Sequence, residues 1–186
     1  RTDKKSVLQM VADSVSYSRR YCDNVEWSSE DATRSDLDFL YKCIETAIEK
    51  GAKTITIADT VGYFLPTEVK MLVKNIKNNV SNIDKALLSV HCHDDLGMSV
   101  ANSISAIETG IQQVHWTING IGERAGNAAL EEIVMAIETK KNILKKNTGI
   151  ETNYLAKASK LVSKITKFAV PANKAVVGKN AFAHES

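Results

Sequence analysis

Apolar positions recur along this chain in two alternating rhythms. Over residues 2–21, Val7, Met10, Val11 and Val15 fall on one stripe, which predicts an amphipathic helix. Residues 24–28 then read as a short strand. Over 35–50, Leu37, Leu40, Ile44 and Ile48 mark one helical face, and Gly51 fits the position just past a helix C-terminus. The alternation continues. Residues 54–58 predict a second strand, Pro66 opens a helix running to residue 79, and 86–92 predict a third strand. A helix over 99–109 ends at Gly110, a fourth strand occupies 113–118, and a long helix covers 127–145. A last helix over 152–167 precedes an irregular tail.

Successive strand centres lie about 25–35 residues apart, the length of one strand, one helix and two short loops. The strands are short and apolar, as strands covered on both faces should be. The expected class is therefore α/β with a parallel sheet. Such units close as a (β/α)8 TIM barrel or spread as an open doubly wound sheet. Four units complete neither, so the chain is expected to be a fragment of a larger fold. An opening at Arg1 without an initiator Met, and an end at His184-Glu185-Ser186, agree with that expectation.

Composition narrows the setting. Hydrophobic residues make up 44% and charged residues 25% of the 186, ordinary for a globular protein. The net charge is +2 with acids and bases interspersed, which gives no electrostatic case for nucleic acid. Cys22, Cys43 and Cys92 form no CxxC pair, so reduced thiols in a cytoplasmic compartment are expected. The sequence contains no apolar run of about 18 residues, hence no expected membrane span. It also opens without the pattern of a signal peptide.

In both β/α architectures functional groups gather at the C-terminal ends of strands. The third strand ends in His91-Cys92-His93. Residues i and i+2 of a strand point the same way, so both imidazoles can reach one metal ion while Cys92 points away. The fourth strand leads into Asn119-Gly120-Ile121-Gly122-Glu123-Arg124-Ala125-Gly126-Asn127. Its glycines allow close backbone approach to a ligand, although it matches neither the dinucleotide fingerprint nor Walker A. Asn127 stands where a helix is expected to begin. It reads either as an N-cap or as a third metal ligand. Arg124 beside a helix N-terminus favours a nearby anion. At the first strand's exit, Glu26, Glu30 and Asp31 can bind metal or act as acid and base, or simply favour the next helix start. At the second, Thr60 can hydrogen-bond a carboxylate and Asp59 can orient a neighbour, with turn formation as the plainer reading.

These motifs match a family in order and spacing. Glu30-Asp31-Ala32-Thr33-Arg34, Ala58-Asp59-Thr60-Val61-Gly62, His91-Cys92-His93-Asp94-Asp95-Leu96-Gly97, the Gly-Glu-Arg-Ala-Gly-Asn block ending at Asn127, and the tail from Pro171 onward resemble the 2-isopropylmalate synthases. The resemblance covers nearly the whole chain. It implies that residues 1–148 hold strands five to eight of a TIM barrel and that 149–186 begin a post-barrel linker. It implies a divalent metal, Mn2+ first with Mg2+, Zn2+ or Co2+ as alternatives, held by His91, His93, Asn127 and an aspartate from a first strand upstream of residue 1. This reverses the N-cap reading of Asn127. It further implies acetyl-CoA and a 2-oxo acid as partners, with Thr60, Ser28 and Arg124 toward the substrate and Glu30 as acid or base. His184 is a weaker catalytic candidate, and the family pairs as homo-oligomers. The implied reaction condenses acetyl-CoA with 3-methyl-2-oxobutanoate in leucine biosynthesis. Citramalate or homocitrate synthesis, or acyl-CoA cleavage on the same barrel, are the alternatives, and the isolated residues are expected to be inactive.

Overall fold

The computed structural model describes residues 2–181, which contain the eleven helices and strands named here. Helix α1 (Lys4–Ser18) leads into strand β1 (Glu26–Ser29), followed by α2 (Leu37–Glu49) and β2 (Thr54–Asp59). Then come α3 (Pro66–Asn79), β3 (Leu87–Cys92), α4 (Ser99–Glu108) and β4 (Gln113–His115). Helices α5 (Leu130–Thr139), α6 (Lys141–Leu144) and α7 (Leu155–Thr166) complete the order. The four strands form one sheet in the order β1-β2-β3-β4, with every neighbouring pair parallel. The expected α/β class and parallel sheet are thus found.

Local chemistry explains most element limits. The carboxylate of Asp36 accepts the Phe39 N–H at 3.0 Å and caps α2. Gly51 closes that helix at φ 103°, where a β-carbon would be strained. Helix α3 starts at Pro66, and Glu68 reaches back to accept the Leu65 N–H at 2.8 Å. Two expectations are corrected. The fourth strand ends at His115 instead of 118, because Thr117 leaves the ladder to bridge Ala129 and residues Ile118–Gly120 form a 3-10 turn. The single helix expected over 127–145 starts later, with Ala129 as its N-cap, and breaks at Lys140 (φ −113°, ψ 25°). Beyond Thr139 the side chains are mostly exposed, Ile143 at 72%, so no burial holds the helical rhythm together.

The sheet has two chemically different faces. On one, Ile55, Ile57, Leu88, Val90 and Cys92 pack with Leu40, Ile44, Val69, Val73 and Ile76 from α2 and α3. A second cluster joins Ile107 of α4 to Ile133 and Ile137 of α5. Each fully buried Ile contributes roughly 1.5–3 kcal/mol relative to exposure. On the other face stand Glu26, Ser28, Thr56, Ser89, His91, Gln113 and His115, in register across the strands. This face is concave. In a flat sheet β1 and β4 would lie about 14 Å apart. Yet Glu26 Oε1 lies 2.9 Å from His115 Nε2, and Gln113 Nε2 donates to Glu26 Oε2 at 2.8 Å. The sheet therefore curls as a barrel wall does.

Candidate metal centre at the strand exits

His91 and His93 emerge together on the concave face, as alternation along β3 requires. Their Nε2 atoms stand 3.1 Å apart and their ring centroids 4.9 Å apart. Cys92 points the opposite way into the apolar core, fully buried. The next segment is stitched to this exit through the main chain. Asp94 N–H donates to the Gly126 carbonyl at 3.0 Å, and Ala128 N–H to the Cys92 carbonyl at 3.1 Å. These two bonds frame an antiparallel bridge that sets Asn127 opposite His93.

The glycine-rich loop makes that pairing possible by folding onto itself. Asn127 N–H donates to the Gly120 carbonyl at 3.0 Å. Gly126 sits at φ 94°, and a β-carbon there would strike the Gly120 carbonyl. At Gly122 a β-carbon would strike the Asn127 side-chain amide. Asn127 is not the cap of α5, a role taken by Ala129. Its Nδ2 turns to the Ile121 carbonyl at 3.4 Å. Its Oδ1 is left buried and unpartnered among the described residues, as are Nδ1 of His91 and Nδ1 of His93.

Electrostatics favour the neutral form of His91. Burial lowers the His91 pKa from its ordinary 6.5, and the neighbouring His93 and His115 lower it further, while Glu26 opposes them. A neutral imidazole has a free lone pair for a metal. Cys92, buried in apolar surroundings, is pushed up to about 12 and is no thiolate ligand. Two imidazole nitrogens bound to one ion at about 2.0–2.1 Å stand about 2.9–3.4 Å apart at cis angles. The observed 3.1 Å fits that span. Among the described residues no three His, Cys, Asp or Glu side chains gather as a metal set, and the backbone bridge places Asn127 opposite His93.

The remaining sequence candidates divide. Ser28 is exposed on the concave face one strand from Thr56. Glu30 is exposed, with no ion pair among the described residues. Thr60 is half-buried; its Oγ1 accepts the Asp31 N–H at 2.8 Å, which leaves its own O–H free to donate. Asp59 is fully buried, its carboxylate taken by the Thr33 hydroxyl and the Phe64 N–H, both at 3.2 Å. Asp31 stands at the start of the 3-10 turn Ala32–Arg34, and its carboxylate pairs with Arg34 at 2.8 Å. Arg124 spends its guanidinium inside the chain, on both Asp95 oxygens at 2.9 and 3.0 Å and on the Thr60 carbonyl. Three rim loops are tied by that one side chain. His184 lies outside the described residues.

The sequence reading did not bring Glu26, Gln113 and His115 together. Glu26 Oε1 also accepts the Thr56 hydroxyl at 2.7 Å, and the His115 ring stands edge-on to His91 at 5.6 Å between centroids. The strand register of His91 with His115 was the usable signal; the curl that adds Glu26 was not visible.

Comparison with known proteins agrees with this architecture. The chain is 56% identical over 184 residues to the 2-isopropylmalate synthase of Rhodopseudomonas palustris, covering 99% of this chain and 35% of that protein. It is 53% identical over 186 residues to the 2-isopropylmalate synthase of Nitrobacter hamburgensis, covering 100% and 36%. The chain thus spans about a third of the length of these relatives. Among solved structures, an HMG-CoA lyase from Acinetobacter baumannii, in complex with coenzyme A and 3-methylmalate, superposes with a TM-score of 0.76 at 21% identity. That match covers 100% of this chain and 62% of the lyase, and it shows the shared fold. Residues 1–162 match the HMGL-like family. With four parallel β/α units and the residues matched covering most of its length, the chain belongs to the HMGL-like family.

Proposed function

We propose that this chain is the second half of the catalytic barrel of a 2-isopropylmalate synthase, with residues 1–148 as strands five to eight and 149–186 as the start of a post-barrel linker. The intact enzyme joins acetyl-CoA to 3-methyl-2-oxobutanoate and releases coenzyme A. The observation that carries the reading is a pair of imidazole Nε2 atoms 3.1 Å apart, with Asn127, whose amide oxygen has no partner among the described residues, set opposite His93 by a backbone bridge. The identity to named 2-isopropylmalate synthases supports the choice of substrate over the sister reactions.

In this reading His91, His93 and Asn127 hold a divalent cation, Mn2+ first, together with an aspartate from a strand upstream of residue 1. When bound, the ion supplies Lewis acidity to the keto group of the 2-oxo acid. The chain's own residues do the rest of the positioning. The Thr60 O–H donates to the substrate carboxylate, and Ser28 contacts the oxo acid from the next strand. Glu30, exposed on the same rim, moves a proton as acid or base. A proton leaves the acetyl methyl, a carbon–carbon bond forms to the keto carbon, and water then splits the thioester. Arg124 braces the rim through Asp95 and the Thr60 carbonyl.

The test is thiol release by the full-length protein given acetyl-CoA with 3-methyl-2-oxobutanoate, pyruvate or 2-oxoglutarate in turn. The first substrate is expected to give the highest kcat/KM. His91→Ala with His93→Ala is expected to lower turnover on the order of a thousandfold, as loss of several kcal/mol of electrophilic help would. A preference for another oxo acid, cleavage without condensation, or indifference to both histidines would sink the reading.

A further inference from the structure

Glu131 lies in the first turn of α5 and is buried to 1% exposure. A carboxylate that far from water needs partners for both oxygens. Its Oε2 accepts the backbone N–H of Asn119 at 3.0 Å, while Oε1 makes no hydrogen bond among the described residues. The cation facing it is Lys174, whose Nζ stands 3.9 Å from Glu131 Oε1 and 2.5 Å from Glu132 Oε1. Lys174 lies past residue 162, where the family match ends.

Neither end of this link is loose. Around Lys174 the backbone forms a tight turn: Gly178 N–H donates to the Lys174 carbonyl at 2.9 Å and Asn180 N–H to the Ala172 carbonyl at 2.8 Å. A side chain at position 178 would collide with both carbonyls. At the other end, Asn119 heads the glycine-rich loop at φ 63°, a conformation that a non-glycine residue holds only with support. Glu131 supplies that support at its N–H, and the Ser159 carbonyl on α7 accepts its Nδ2 at 3.2 Å. Asp94, Asn119, Asn127, Glu132 and Lys174 line one shared cavity of about 260 Å3.

We propose that Lys174 is a positioning residue: seated between Glu131 and Glu132, it clasps the segment 171–181 to the glycine-rich loop and holds that loop in the shape that presents Asn127 beside His93. The inference rests on the reading of Asn127 as a metal ligand. Without the ammonium, the Glu131 carboxylate is buried uncompensated and turns toward water. The Asn119 N–H then loses its acceptor and the loop loosens. The post-barrel segment thereby becomes part of the site, although it contributes no ligand.

The full-length protein is tested with Lys174→Met, Lys174→Arg and Glu132→Gln. Two quantities are read: amide exchange over 117–129, and binding of Mn2+ alone, followed by the paramagnetic resonance of the free ion. Lys174→Met is expected to speed exchange over 117–129 at least about tenfold, with β2 and β3 unchanged, and to weaken Mn2+ binding about tenfold. Lys174→Arg restores both to near the parent values. Unchanged exchange over 117–129 in Lys174→Met overturns the clasp. Faster exchange with unaltered Mn2+ affinity overturns its link to Asn127. Should Lys174→Met fail to fold, Lys174→Gln, which also removes the ammonium, carries the same measurements with the same outcomes, and Glu132→Gln, which removes only the shorter ion pair, is expected to give a smaller change in the same direction. Mn2+ binding that survives His91→Ala with His93→Ala would remove the metal reading. The exchange measurement needs no metal and still decides the clasp.

Discussion

The two faces of the sheet come from the same strands and share one backbone, yet they do opposite work. Ile55, Ile57, Leu88 and Val90 face the helices and are almost completely buried. Between them, on the other side of the pleat, stand Thr56, Ser89 and His91, which form a polar floor with Glu26, Gln113 and His115. The apolar face is packed by neighbours that fill space and holds the fold. The polar face is arranged by hydrogen bonds and leaves several groups, among them both His Nδ1 atoms, with no partner among the described residues. Stability and chemistry are thus separated by a single residue step along each strand. A one-residue slip in register would exchange them.

Three measurements press on that separation. The largest effect is expected on the apolar face. Ile55→Ala removes a side chain with 0% exposure and should cost about 2–5 kcal/mol, read as a lower Tm in the full-length protein, with kcat per folded molecule unchanged. A matching fall in kcat would show that the faces are not independent. The next effect is on the polar face and depends on pH. Because the folded-state pKa of His91 lies below its ordinary 6.5, the unfolded chain takes up a proton that the folded chain refuses. The stability contributed by neutral His91 is therefore complete above about pH 6.5 and declines as pH falls toward the folded pKa. In His91→Gln the slope below pH 6.5 should shrink; an unaltered slope would assign the titration elsewhere. The smallest effect is a contrast in reactivity. Cys22 is exposed, whereas Cys43 and Cys92 are buried with raised pKa values. Brief alkylation at pH 8 followed by peptide mass spectrometry should find label at Cys22 alone. Label at Cys92 would mean that the apolar face opens.

Much of this arrangement was legible in the sequence, for physical reasons that differ by element. Helix α3 was bounded correctly because Pro66 marks its start, and α2 because Gly51 marks its end. The His91/His93 pair was legible because alternation in a strand is a strict geometric rule. Asn127 was ambiguous in isolation: an Asn ahead of a helix pattern suits a cap, and only the fold of the loop, two residues longer than a cap requires, moves that task to Ala129. The Glu26–His115 contact was hidden because it depends on sheet curl across two intervening strands. Lys174 was hidden for a related reason. Its partner Glu132 is 42 residues away, and no local pattern encodes that meeting.

The bridge between His93 and Asn127 bears on how such a centre can diversify. Both positions are anchored by main-chain groups of their neighbours, the Asp94 N–H on the Gly126 carbonyl and the Ala128 N–H on the Cys92 carbonyl. Side-chain identity at 93 or 127 can therefore drift without shifting either anchor. If Asn127 ligates the cation as proposed, a harder or softer donor at 127 would alter cation preference while inheriting the same address.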